Sequence, residues 1–73
     1  QLAIEQETQP VLSAREHEIL QLIAAGKSNV ELGIILGISP ATVATYVKRL
    51  FAKLGVHDRV AAAITGLRLG MVA

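Results

Sequence analysis

The chain has 73 residues, 52% of them hydrophobic, with no cysteine and a formal net charge of +1. That length suits one small domain near the lower limit for an unassisted core, and the missing cysteines exclude a disulfide framework and a thiolate metal site. No apolar stretch approaches the ~20 residues of a membrane span and no basic-then-apolar signal segment opens the chain, so the expectation is a soluble, cytoplasmic domain without a membrane partner.

Residues 1–11 end in Thr8-Gln9-Pro10 and show no apolar periodicity. They read as a linker from a missing upstream domain. Ser13 and Glu16 form an S-x-x-E capping box that starts a first helix, whose apolar residues Ile19, Leu20 and Ile23 share a face; Gly26 stops it. Ser28 and Glu31 repeat the box, opening a short helix with Leu32, Ile35 and Leu36 inward and Gly37 at its end. Ser39-Pro40 starts a third helix, because serine caps and proline is preset for the first helical position. It is predicted to run from Pro40 to about Leu54, before Gly55. Asp58 caps a fourth helix that runs to about Leu69 and closes at Gly70. No strand alternation is present, so the expected fold class is all-α, with four helices.

The second helix, the Gly37-Ile38-Ser39 turn and the third helix follow the helix-turn-helix outline. On the third helix, Val43, Val47, Leu50 and Leu54 share one side and are assigned to the core. The opposite side carries Ala41, Ala44, Thr45, Lys48 and Ala52: small, polar or basic, with no acid. A helix entering a major groove needs little bulk and donors that reach base edges or phosphates. Charge distribution agrees, since residues 1–31 sum to −3 and residues 32–73 to +4. That split suits a polyanion, but also an ordinary solvated surface.

Taken together, these stretches resemble the LuxR-type (FixJ/NarL-like, GerE-like) helix-turn-helix family. The matching residues are Leu12-Ser13-x-Arg15-Glu16-x-Glu18-Ile19-Leu20, Ala25-Gly26-Lys27-Ser28-Asn29-x-Glu31-Leu32 and Leu36-Gly37-Ile38-Ser39. Thr42-Val43-x-Thr45-Tyr46-Val47, Lys53-Leu54-Gly55-Val56, Arg59 and Leu69-Gly70-Met71 continue the match. The resemblance covers residues 12–73 and implies the DNA-binding output domain of a bacterial transcription regulator. It implies the third helix in the major groove of double-stranded DNA, a homodimer through the fourth helix, and an upstream receiver or ligand-sensing domain. RNA polymerase is a further implied partner. Base reading falls on Ala44, Thr45 and Lys48, and phosphate contacts on Ser28, Asn29, Thr42, Tyr46 and Arg49. The chain departs from the family's usual lysine at Val30 and Ala44 and its usual histidine at Tyr46. Two absent cations flatten the salt dependence of binding by up to about two units of slope.

Three further expectations come from the residues themselves. Glu16 lies on the core side of the first helix and needs a cation, for which Arg59 is the candidate, making a structural ion pair. Val30 and Ile34 face away from Leu32 and Leu36 as a small apolar patch, a docking site for a regulatory domain or a polymerase subunit. On the fourth helix, Ala61, Ile64, Thr65 and Arg68 are the dimer candidates, lying opposite Ala62, Ala63 and Gly66. An enzyme is not expected: His17 and His57 are the only histidines, no carboxylate pair flanks a nucleophile, and no catalytic, metal or cofactor site is assigned. Two alternatives stay open. One is the fourth region of a sigma factor, against which the Lys53-to-Val56 segment and Arg59 argue. The other is a degenerate helix-turn-helix acting as a protein-interaction module with weak or no DNA binding.

Overall fold

The computed structural model describes residues 10–72 and contains four helices in the order read from the sequence: α1 Ala14–Ala24, α2 Asn29–Leu36, α3 Pro40–Leu54 and α4 Arg59–Arg68. The linker expected over residues 1–11 lies outside the described residues for positions 1–9. No strand occurs among the described residues, and the fold is all-α.

Each helix begins where a side chain can accept its orphan amide. Ser13 and Ser28 complete full capping boxes with Glu16 and Glu31, Ser39 accepts from the Thr42 amide, and Asp58 accepts from the Ala61 amide. One device ends all four. A glycine at positive φ turns the chain, and the next residue's amide reaches back five residues: Lys27 to Leu22, Ile38 to Gly33, Val56 to Phe51 and Met71 to Gly66, at 2.8–3.0 Å. This is the Schellman arrangement, which satisfies carbonyls that helix ends leave open. Ile38, Val56 and Met71 then fold onto the core as half-buried side chains.

The core consists of Ile19, Leu20 and Ile23 from α1, Leu32 from α2, Val43, Val47 and Leu50 from α3, and Ala62 from α4. Leu54 and Leu36 pack at its margin. Ile35, expected inward, is 52% exposed. An eight-residue helix resting mainly on α3 has room for one fully buried side chain, and Leu32 takes it. The α1–α4 packing is the most extensive helix pairing. Close approach there depends on small residues, since a Cβ at Gly66 would lie 3.2 Å from the Leu20 side chain.

The buried Glu16 corrects one expectation. Its side chain is on the core side as predicted, with the residue 5% exposed, but its partner is Lys53 and not Arg59. Lys53 extends from the last turn of α3, which crosses α1, and its Nζ donates to Glu16 Oε1 at 2.8 Å and to the Val11 carbonyl at 3.3 Å. The same Oε1 accepts the Ser13 amide at 2.8 Å. Arg59 emerges on the α2 side of the molecule and bonds Asn29 and the Lys27 carbonyl instead.

Candidate nucleic-acid interface

The turn between α2 and α3 sets the geometry of the site. Gly37 adopts φ 68°, which a side chain would strain, and the chain swings through Ile38 into the Ser39 cap. The two helices are bent by 110° from each other, within the roughly 90–120° of helix-turn-helix pairs. Gly33 gives this sharp turn room. A Cβ there would stand 3.0 Å from the Ile38 carbonyl oxygen, so any side chain would press on the turn where it closes over α2. The sequence reading passed over Gly33, and a glycine in the middle of a short helix was the signal that could have found it.

With Val43, Val47 and Leu50 held inside, the opposite side of α3 is committed to solvent. Ala41, Thr42, Ala44, Thr45, Lys48, Arg49 and Ala52 are all exposed. No acid lies on this helix, and among the described residues neither Lys48 nor Arg49 is engaged in an ion pair. The Thr45 hydroxyl donates to the Ala41 carbonyl at 3.1 Å, leaving its oxygen lone pairs outward. Thr42 shares a 2.9 Å hydroxyl contact with Ser39. Tyr46 is half-buried, its ring packed on the core.

A groove of about 490 Å³ runs beside α3, where Ala44, Lys48 and Ala52 meet Asn29 from the start of α2 and His57 from the loop before α4. The structure therefore brings Asn29 together with two of the three residues assigned to base reading. His57 was not singled out as a site residue; its place in the four-residue gap between α3 and α4 was the available hint. Ser28 is also exposed; its Oγ accepts the Glu31 amide at 3.2 Å, so its hydroxyl proton is free to donate. The Ser28 amide holds the Glu31 carboxyl below the usual carboxylate range. Among the described residues no cluster of His, Cys, Asp and Glu could hold a metal ion.

The assigned dimer residues divide. Ile64 and Arg68 are exposed, whereas Ala61 and Thr65 are half-buried against their own fold. The open side of α4 is an apolar ridge of Val60, Ile64 and Leu67, each more than half exposed. Val60 and Leu67 were missed because the sequence did not show which side of α4 meets α1; Ala62 and Gly66 do. On α2, Val30 and Ile34 are exposed as expected, with Ile35 beside them. Among the described residues no single helix is long and apolar enough to cross a membrane.

Comparison with known proteins agrees with this geometry. Residues 10–65 match the family described as "Bacterial regulatory proteins, luxR family". The chain is 51% identical over 59 residues to the probable transcriptional regulatory protein NarL of Mycobacterium tuberculosis, covering 81% of this chain and 27% of that protein. It is 46% identical over 61 residues to the transcriptional regulatory protein LiaR of Bacillus subtilis, covering 84% and 29%. The chain thus spans less than a third of these relatives. Among solved structures, the response regulator ChrA of a heme-sensing two-component system superposes with a TM-score of 0.81 at 44% identity, covering 84% of this chain and 30% of that one. The transcription factor GerE superposes with a TM-score of 0.77 at 39% identity, covering 85% and 92%. These matches assign no enzyme. The chain belongs to the luxR family of bacterial regulatory proteins, as a DNA-binding helix-turn-helix domain of the kind that transcriptional regulators carry.

Proposed function

We propose that this domain binds double-stranded DNA sequence-specifically by laying α3 in the major groove. Ala44, Thr45 and Lys48 face base edges, and Ser28, Asn29, Thr42, Tyr46 and Arg49 lie toward phosphates. The observation that carries this reading is the exposed, acid-free side of α3 above a fully packed core side. Lys48 and Arg49 supply cations for guanine edges or phosphate, and Ala44 offers only apolar contact, suited to a thymine methyl. Two copies pair through α4 on two half-sites, using the ridge of Val60, Ile64 and Leu67 with Arg68 at its end. The domain works in the cytoplasm as the output module of a larger regulator whose upstream part is a receiver or ligand-sensing domain.

The exposed Val30, Ile34 and Ile35 favour a second reading, a protein-interaction module that has given up DNA. One experiment separates the two. The chain is titrated with random-sequence duplex at two salt concentrations, and the retained duplexes are then selected from a random pool. The DNA reading expects affinity that falls steeply with salt and a recoverable half-site. Absence of binding at both salts leaves the interaction module standing.

A further inference from the structure

Arg59 lost its expected partner, Glu16, and its actual contacts are more informative. Its guanidinium reaches from the first residue of α4 to the start of α2. One nitrogen donates to Asn29 Oδ1 at 2.6 Å and the other to the Lys27 carbonyl. These two anchors flank Ser28 on both sides. A guanidinium only donates, and of the two ends of an asparagine amide only the oxygen can accept. The bond therefore decides which way the amide is turned. With Oδ1 directed to Arg59, the planar geometry sends Nδ2 the other way, and Asn29 is an exposed residue lining the same groove as Ala44 and Lys48. Among the described residues nothing bonds that nitrogen.

We propose that Arg59 is a positioning residue for DNA recognition: it locks the Asn29 side chain so that its NH2 group faces the groove as a donor to phosphate oxygen. This rests on the DNA-binding reading above. Arg59 acts through Asn29: each of its terminal nitrogens already donates one bond within the fold. Through it the first turn of α4 fixes the Lys27–Asn29 stretch, so the helix that carries the apolar ridge also holds a DNA-contacting residue in place.

The test is a double-mutant cycle on a short random-sequence duplex at low salt, with Asn29→Ala, Arg59→Lys and the two combined. Asn29→Ala is expected to weaken binding by roughly three- to tenfold, the worth of one hydrogen bond. Arg59→Lys keeps the charge but loses the fork, and is expected to weaken binding to a similar degree. In the Asn29→Ala background, Arg59→Lys then has almost no further effect. Asn29→Asp supplies a variant whose acceptor for Arg59 survives, so the fold is kept while the donor is replaced by an anion; its binding falls below that of Asn29→Ala. In the DNA-free chain, the Asn29 side-chain amide resonances must shift on Arg59→Lys. Multiplying effects in the cycle, parental affinity in Asn29→Asp, or unmoved amide resonances would each overturn the proposal while the unsubstituted chain still binds. Failure of the unsubstituted chain to bind overturns the DNA reading itself, and this proposal with it.

Discussion

Glu16 keeps its charge inside a small core because two donors converge on one oxygen. The Ser13 amide and Lys53 Nζ both lie 2.8 Å from Oε1. Hydrogen bonding to Lys53 is the leading reason that its carboxyl ionises below the usual range, with the Ser13 amide next and burial opposing both. A carboxyl with a depressed folded pKa stabilises the protein above its unfolded value and loses that contribution as pH falls through the folded one. Stability in urea is therefore expected to be level from neutral pH to about pH 5 and to decline below about pH 4.3. Glu16→Gln removes part of that acid decline, and an unaltered acid limb in this variant would show that the pair contributes nothing. Lys53→Met should lower stability by about 1 kcal/mol, less than for a fully enclosed pair, because the lysine side chain is 41% exposed. Sequence alone placed Glu16 correctly but not its partner. Lys53 sits three residues after Leu50 on the flank of the core stripe, from which a long side chain can bend back, and only the crossing of α3 over α1 brings it to Glu16.

At the level of whole helices, what was legible is what is local. Ser13, Ser28, Ser39 and Asp58 each cap within three residues of themselves, and Gly26, Gly37, Gly55 and Gly70 each turn the chain where they stand. The inward stripe of α3 was equally plain, since fifteen residues give four turns of periodicity. Orientation of the shorter helices was not, because α2 and α4 are apolar on more than one side. Ile35 and the Val60–Leu67 ridge show this. Packing of α4 on α1 through Ala62 and Gly66 is thus a tertiary fact with its own test. Gly66→Val adds a Cβ 3.2 Å from the Leu20 side chain and two methyl groups beyond it, against a residue that is fully buried. A loss of about 1–3 kcal/mol in thermal or urea unfolding is expected; a loss near zero would mean the two helices can separate slightly without penalty. For α3 the corresponding test adds a function. Ala44→Lys places a second cation on the groove side, next to Lys48, where the family usually has one. Affinity for random duplex should rise, and the salt dependence should steepen by about 0.9 units of slope. An unchanged slope would place Ala44 out of reach of the phosphates.

Across the whole molecule, the proposed DNA-facing and partner-facing surfaces are separated, and that separation makes the proposed dimerisation testable by itself. The proposed reading side belongs to α3 and the start of α2, while the ridge of Val60, Ile64 and Leu67 stands on α4, joined to α2 through Arg59. Ten residues of α4 bury Ala62 and Gly66 inward and present three large apolar side chains outward. Among the described residues the other exposed large apolar side chains are Val11 and the Val30, Ile34 and Ile35 patch of α2, and a two-fold axis through the ridge would set each copy's Ile64 near its counterpart. Ile64→Glu puts like charges across that axis without touching the core or the groove. The variant should melt like the parent and bind a single half-site with parental affinity. On a duplex carrying two half-sites one helical turn apart, it should lose the cooperative gain, so that both sites fill independently. Equal cooperativity in parent and variant would place the pairing surface elsewhere, with the exposed Val30, Ile34 and Ile35 of α2 the next face to substitute.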